Sequence, residues 1–250
     1  MSEFTIRLAE RSIGIISLYS SSENFCKGYL TEAEPDFSVE ITADDIEYEK
    51  NKSARTDRLE GRAVTSYREN YLETLAIYRK IAEKLPFYNT VLFHGSAIAV
   101  DGVCYLFTAK SGTGKSTHAR LWRKVFGERA VMVNDDKPLI RIDEKGVVVY
   151  GTPWNGKHRL GNNMSAPLKA ICILERDENN RIEQISKSQA WNMLIQQTYR
   201  PSSPEALAQT LFLLDNLSEK TEIYLLGCNM EEDAAVTAYN GMNMEGRDAK

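Results

Sequence analysis

The spacing of apolar positions in the first third of the chain predicts a few short strands and one long helix. Apolar residues recur every three or four positions across residues 67–85, which is typical of an amphipathic helix. Residues 46–62 are rich in charge and poor in apolar side chains, which favours a solvated hairpin or a flexible connection. The strands predicted from short apolar runs are 4–8, 13–19 and 39–42. We therefore expect a small N-terminal α+β extension over residues 1–88.

After residue 88, short apolar runs alternate with amphipathic stretches, which is typical of an α/β domain. The predicted strands are 91–93, 97–100, 103–108, 130–133, 138–142, 147–150, 167–175, 182–185 and 223–226. The predicted helices are 116–126, 189–198, 204–217 and 230–239. We assign residues 89–242 to this domain and expect residues 243–250 to form a frayed tail.

One stretch, residues 109–117, reads AKSGTGKST and lies between a predicted strand and a predicted helix. A glycine-rich phosphate-binding loop occurs in this context, although the usual pattern has glycine where this chain has Ala109. Glycines let backbone N–H groups turn toward phosphate oxygens, Lys115 adds charge for the β- and γ-phosphates, and Ser116 offers a hydroxyl to Mg²⁺. The residues expected to bind the nucleotide are Ser111, Gly112, Thr113, Gly114, Lys115, Ser116 and Thr117.

Two adjacent carboxylates, Asp135 and Asp136, follow the apolar strand predicted at residues 130–133. A nucleotide-bound Mg²⁺ requires an acidic residue at the end of a buried strand after the loop helix, so we interpret the pair as functional and not only as a turn cap. Phosphoryl transfer needs little beyond a carboxylate, a metal, a lysine and a phosphate loop. These residues therefore predict phosphoryl-transfer chemistry.

Composition narrows the partners and the compartment. The 250 residues carry a formal net charge of −4, which gives no global attraction to nucleic acid or to an anionic membrane, so we expect neither as a partner. The four cysteines lie far apart without metal-ligand spacing, and buried reduced thiols indicate a cytoplasmic location. The sequence shows no secretory signal and no apolar run of about 18 residues.

The order of His94-Gly95, a short hairpin, the SGTGKS loop, a helix, an apolar strand and Asp135-Asp136 resembles the catalytic domain of the bacterial HPr serine kinase/phosphorylase family. The resemblance covers residues 92–136 well and the remainder loosely. It implies a P-loop α/β fold with a mixed sheet, similar to phosphoenolpyruvate carboxykinase. It also implies that His94, Lys115, Ser116 and Asp136 act in catalysis. Asp136 would then be the acid or base and Asp135 would hold Mg²⁺, although these two roles could be exchanged.

A glycine-rich loop, residues 151–163, occupies the region where that family has a Glu-x-Arg-Gly signature, which this chain lacks. Its basic triplet, Lys157, His158 and Arg159, is a candidate for binding an acceptor or the γ-phosphate, and a solvated basic loop is the alternative. The N-terminal part also differs from the family's regulatory domain. We therefore expect a divergent relative of the family.

The leading hypothesis is an ATP-dependent kinase that transfers the γ-phosphate to a serine-type hydroxyl of a small protein or peptide, with ATP and Mg²⁺ as cofactors. Two alternatives stay open: a kinase for a small-molecule hydroxyl, and a regulatory module that binds ATP without transfer. The aspartate pair favours an enzyme, because a pure binding module needs the loop but no acid or base. The identity of the acceptor, a reverse phosphorylase activity and assembly into a homo-oligomer are left open by the sequence.

Overall fold

The computed structural model describes residues 1–59, 61–110, 112–156 and 158–243, and it divides the chain into two compact units, Met1–Lys84 and Leu85–Lys250. The expected tail at 243–250 lies outside the described residues except for Asn243, which ends a helix. Each unit contains helices and strands, and the larger one is built on a mixed sheet. The predicted α/β class with a mixed sheet is confirmed at this level.

The smaller unit is a three-stranded sheet with helices. Its strands are β1 (Ser2–Leu8), β2 (Arg11–Ser17) and β3 (Phe37–Glu40), and its helices are α1 (Ser21–Phe25), α2 (Ala43–Leu59) and α3 (Glu69–Lys84). Strand β2 is central, antiparallel to β1 and parallel to β3. Helix α3 buries one face that includes Leu72, Ala76, Ile77 and Ile81.

The prediction of a hairpin or a flexible connection at residues 46–62 is wrong, because helix α2 covers most of that stretch. Few of its side chains are apolar, so the apolar pattern did not reveal a helix. Ion pairs hold it instead: Arg79 of α3 donates to Asp45 at 2.9 Å and to Glu49 at 2.5 Å. All three side chains are largely buried, which makes this a packed ionic contact between two helices.

The larger unit has nine strands in its sheet among the described residues. The strands are β4 (Thr90–Leu92), β5 (Ser96–Val100), β6 (Val103–Thr108), β7 (Ala130–Asn134), β8 (Leu139–Asp143), β9 (Gly146–Tyr150), β10 (Ser165–Arg176), β11 (Arg181–Gln184) and β12 (Glu222–Cys228). The helices are α4 (Lys115–Phe126), α5 (Lys187–Gln197), α6 (Pro204–Lys220) and α7 (Asp233–Asn243).

Strand β10 organises this sheet because it is long enough to pair with three others. Its first residues lie antiparallel to β9, and the rest lies parallel to β6 on one side and to β12 on the other. The main order is β4-β8-β9-β10-β6-β5-β7. Strand β12 also pairs with β10, and β11 pairs with β12. Since β6 and β10 run parallel, their carboxyl ends emerge at the same edge, where ligands bind in open α/β sheets.

Side chains of the central strands alternate between two hydrophobic cores. Leu106 and Ile171 lie in the core that contains Leu194 of α5 and Leu214 of α6. Their neighbours Phe107 and Cys172 lie in the other core, with Trp122 of α4 and Ala235 of α7; that core also holds Tyr105, Ala170 and Ala238. The sheet is thus covered by helices on both faces, which explains the continuous apolar runs of its central strands.

The hydropathy of the helices and the state of the cysteines bear on where the chain folds. None of the helices in the described ranges is long and apolar enough to cross a membrane. Cys26, Cys104 and Cys172 are buried, and all four cysteines are free thiols.

Candidate functional site

The AKSGTGKST stretch begins directly after β6 and runs into the first turn of α4. Gly112 and Gly114 have φ angles of 78° and 121°, in the region that favours glycine over residues with a side chain. Gly114 is the N-cap of α4 and supplies no side-chain acceptor to the first turn of the helix. The first N–H groups of a helix have no partner within the helix, so in the described part of the chain this turn presents donors that suit an anion. Ser111, predicted to bind the nucleotide, lies outside the described residues.

Lys115 and Ser116 form the first turn of α4, with Lys115 half-buried and Ser116 exposed. Burial lowers the pKa of Lys115, and the charges of Asp136 and then Asp135 oppose that shift. A lysine that is partly desolvated and close to two carboxylates gains from an anionic ligand that adds negative charge beside it. Thr117, also predicted to contact nucleotide, is half-buried one position further on.

Asp135 is the buried member of the aspartate pair, with 7% of its surface exposed. Its Oδ1 accepts a hydrogen bond from the Ser96 hydroxyl at 2.8 Å. Burial raises the pKa of Asp135, while hydrogen bonding from Ser96 and Ser116 opposes the rise. A buried carboxylate near the first turn of the loop helix has a physical reason to take a cation as its counter-charge.

Asp136 lies on the more open side of the site and faces His94. The distance between Asp136 Oδ1 and His94 Nε2 is 3.5 Å, and the two side chains are 34% and 41% exposed. The backbone of this turn is fixed by Asn134, whose side-chain oxygen accepts from the N–H of Asp136 at 2.9 Å. The N–H of Gly95 donates to the Asp136 carbonyl at 3.0 Å, which ties the two segments together.

His94 is held on three sides. Its N–H donates to the carbonyl of Gln197 at 2.7 Å, and its own carbonyl accepts from the Thr108 hydroxyl at 3.1 Å. Its ring Nδ1 lies 2.9 Å from the side-chain oxygen of Gln197. Burial first, and then the charge of Lys115, lowers the pKa of His94, whereas Asp136 and Gln197 act in the opposite direction.

The glycine-rich loop at residues 151–163 lies against the aspartate pair. A side chain at Gly156 would meet the Asp136 Cβ at 3.4 Å and the Asp135 carbonyl at 3.7 Å. The loop is anchored where a Cβ on Gly151 would come within 1.9 Å of the Asn162 carbonyl, so that close crossing requires glycine. The predicted contact residue Lys157 lies outside the described residues.

The other basic residues of that loop are both exposed. His158 is near enough to Asp135 for its charge to lower the pKa of that carboxyl. Arg159 has a φ of 49°, and its N–H is 3.4 Å from the Gly156 carbonyl. The structure thus brings His158 toward the aspartates, whereas no contact of Arg159 with residues 109–117 is among those described.

Sequence reasoning missed three residues of this site: Ser96, Gln197 and Arg176. The Arg176 Nη2 donates to the Gly112 carbonyl at 2.5 Å, and its Nε lies 3.5 Å from the Thr113 carbonyl. It reaches the loop because it ends β10, whose carboxyl end lies beside that of β6. An arginine directly after an apolar strand could have been singled out as a phosphate-site residue, whereas Ser96 and Gln197 carry no such signal.

The donor set fits Mg²⁺ held together with a nucleotide. The described residues contain no group of three or more His, Cys, Asp or Glu side chains that could hold a metal. Mg²⁺ usually keeps several waters and takes one or two protein oxygens plus substrate phosphates. Ser116 and Asp135 would supply two oxygen ligands beside the glycine-rich loop, which fits a metal that arrives with a nucleotide.

Comparisons with known proteins give one family match. The family model described as "SynChlorMet cassette protein ScmC" matches residues 64–230, which is more than half of the chain. No curated protein matches the chain. A solved structure, that of the HPr(Ser) kinase/phosphatase from Coxiella burnetii, is similar with 10% identity and a TM-score of 0.32, covering 60% of this chain and 94% of that one. This is a weak structural similarity to a kinase/phosphatase.

Proposed function

The chain belongs to the family of the SynChlorMet cassette protein ScmC, and we propose that it is an ATP-dependent kinase that transfers the γ-phosphate to a serine-type hydroxyl of a small protein or peptide. One observation supports this proposal above the others. The buried Asp135, the more exposed Asp136 and His94 meet beside a glycine loop that precedes a helix N-terminus with Lys115. A phosphoryl transfer needs a phosphate cradle, a metal position and a proton acceptor, and these residues supply all three.

In this proposal the phosphate loop and Lys115 bind the triphosphate, and Ser116 and Asp135 would hold Mg²⁺. The metal, when bound with the nucleotide, neutralises charge that develops on the phosphate oxygens. The chain's own contribution at the other end is Asp136, which accepts the proton of the acceptor hydroxyl. The acceptor oxygen bonds to the γ-phosphorus as the bond to the bridging oxygen breaks, and ADP leaves.

The exposure of His94 and Asp136 favours an acceptor hydroxyl that is presented on a polypeptide. His94 and Asp136 keep 41% and 34% of their side-chain surface open. Small-molecule sites usually bury most of their ligand, whereas a residue of a peptide needs only its side chain to reach the reacting atoms. A small-molecule acceptor is the alternative that the transfer experiment distinguishes.

The test is to incubate the protein with Mg²⁺, γ-labelled ATP and host extract, and to ask whether label enters a polypeptide or a small metabolite. Lys115→Ala should weaken ATP binding by about tenfold or more, roughly 1.4 kcal/mol, because a charge-assisted contact is lost. Lys145→Ala is the matched control, since Lys145 is exposed in the turn between β8 and β9. Calorimetry that shows wild-type affinity for the Lys115 variant would contradict the phosphate-loop assignment.

The aspartates are tested by amide variants across a Mg²⁺ titration. Asp136→Asn should lower single-turnover transfer by roughly 10²- to 10⁴-fold and leave ATP binding intact, as expected for a lost acid or base. Asp135→Asn should instead raise the Mg²⁺ concentration that activity requires. If Asp136→Asn keeps normal transfer while Asp135→Asn is inactive at every Mg²⁺ level, the two roles are reversed. If both variants stay active, the kinase proposal is wrong.

A further inference from the structure

Gln197 contacts His94 through both its backbone and its side chain. It is the last residue of α5, and the chain after it pairs with the segment that carries His94. Thr198 forms a bridge with Phe93, and the Tyr199 N–H donates to the Leu92 carbonyl at 2.9 Å. These backbone bonds fix the position of Gln197 beside the imidazole independently of the side-chain contact.

The amide of Gln197 is oriented by a second neighbour. Its nitrogen lies 3.6 Å from the Met193 sulfur, a weak acceptor, while its oxygen lies 2.9 Å from His94 Nδ1. The reverse orientation would place the amide oxygen against the sulfur lone pairs. An amide oxygen can only accept, so Nδ1 of His94 must carry the hydrogen.

This hydrogen bond determines what His94 presents to Asp136. With the hydrogen on Nδ1, a neutral imidazole has a lone pair at Nε2, which is 3.5 Å from Asp136 Oδ1. Two acceptors then face the same position, and neither can satisfy the other. A hydroxyl that enters this position can donate its hydrogen to either of them.

We infer that Gln197 is a positioning residue that holds His94 as the Nδ1–H tautomer, so that His94 Nε2 and Asp136 together accept from the hydroxyl to be phosphorylated. The inference rests on the proposed kinase function for its consequence, but its structural part concerns the unliganded protein. Without the Gln197 acceptor, His94 is free to carry its hydrogen on Nε2 and donate it to Asp136. That hydrogen bond would occupy the Asp136 oxygen that the acceptor hydroxyl needs.

The tautomer is measured by nitrogen-15 NMR of histidine side chains in unliganded protein, at a pH where His94 is neutral. The chain has only three histidines, and a His94→Gln variant assigns the signal of interest. His118 provides an internal reference, because its Nε2 accepts from Trp122 Nε1 at 3.0 Å and its hydrogen must therefore also be on Nδ1. Wild-type His94 should show the Nδ1–H pattern, and an Nε2–H pattern would overturn the inference.

Two variants of Gln197 separate its hydrogen bond from its packing. Gln197→Met keeps the length of the side chain and removes the acceptor, so His94 should shift to Nε2–H or to a mixture. Gln197→Glu keeps an acceptor oxygen and should retain Nδ1–H. An unchanged tautomer in Gln197→Met would refute the positioning role. The His118 signal reports whether each variant is folded. If Gln197→Met does not fold, the inference is tested by the tautomer of His94 in wild type and in Gln197→Glu, both of which should be Nδ1–H.

Transfer assays connect the tautomer to function. Gln197→Met should lower the rate of single-turnover transfer by about tenfold, less than direct loss of an acid or base, with ATP affinity unchanged. Gln197→Glu should recover part of that rate. A lost tautomer with an undiminished transfer rate would refute the functional part of the inference. Absence of transfer in the wild type would refute the proposed kinase function and leave the NMR result standing.

Discussion

A buried histidine in the loop helix makes the stability of the larger unit depend on pH. His118 is 3% exposed, and its ring packs edge-on against Phe107 with centroids 4.7 Å apart. Its Nε2 accepts from Trp122, and its Nδ1 has no hydrogen-bond partner among the described residues. Burial lowers the pKa of His118 from 6.5 to about 4, and protonation of Nε2 would also break the Trp122 hydrogen bond.

The sign and size of the effect follow from that pKa. In the unfolded chain His118 binds a proton as the pH falls through 6.5, whereas in the folded protein it stays neutral until about 4. The unfolded state therefore binds more protons between these values, and the free energy of unfolding falls as the pH falls. Each pKa unit corresponds to about 1.4 kcal/mol, so the full loss is roughly 3 kcal/mol, of which about 2 kcal/mol is expected between pH 7 and pH 5.

The assay is urea unfolding followed by tryptophan fluorescence, at pH 7 and at pH 5, for wild type and His118→Gln. All three tryptophans lie in the larger unit, so the signal reports that unit. Glutamine cannot titrate but can still accept from Trp122, so the variant should lose about 2 kcal/mol less than wild type on acidification. Equal pH dependence in wild type and His118→Gln would refute the reasoning.

Two further substitutions test an ionic contact in the smaller unit and a contact between Arg176 and the glycine-rich loop at Gly112. Arg79→Met keeps the aliphatic stem but leaves the buried Asp45 and Glu49 carboxylates without their shared guanidinium, so urea unfolding followed by circular dichroism should show a loss of about 2 kcal/mol. Arg79→Lys should lose less, and an unchanged midpoint in Arg79→Met would show that the network contributes nothing. Arg176→Ala should lower ATP affinity several-fold by calorimetry, because the carbonyl of Gly112 loses its donor. The ATP affinity of Arg176→Lys should lie between those of wild type and Arg176→Ala. Wild-type affinity in the alanine variant would contradict a role for Arg176 in ordering the loop.

The region around Gly112 and Gly114 is predictable because its sequence signals are local. The strand expected at residues 103–108 coincides with β6, and the helix expected from residue 116 begins one residue earlier. An apolar run, a pair of glycines and an amphipathic stretch follow one another without interruption, so each element limits the next. No long-range contact was needed to predict this strand, loop and helix.

Helix α2 shows where a pattern of apolar residues fails. Its partner is an arginine on α3, 34 residues away from Asp45. Its packed face therefore consists mainly of charged side chains, with Glu49 and Asp57 buried beside one apolar residue, Ile46. Such a face has the same composition as a solvated one. Only the position of Arg79 distinguishes the two, and that position depends on how α2 and α3 pack.

Gln197 was beyond prediction for a related reason. It lies 103 residues from His94 in the sequence. It ends a helix whose sequence pattern indicates only which residues pack into the core. The contact exists because the chain after α5 returns to pair with the segment before β5. A sequence pattern can name the histidine, but the residue that sets its tautomer comes from the fold.

The two aspartates show how much the local backbone adds to a motif. Both follow the last residue of β7, in a turn whose Asp136 and Lys137 N–H groups donate to the Asn134 side chain, and this turn gives the two adjacent carboxylates different surroundings. Asp135 turns to Ser96 and is buried, while Asp136 turns to His94 and stays a third exposed. Under the proposed function, a cation that arrives with a nucleotide would satisfy the buried carboxylate, and an incoming hydroxyl would reach the exposed one. Since Ser96 and His94 are separated by a single glycine, one short segment would then decide which aspartate serves the metal and which serves the proton.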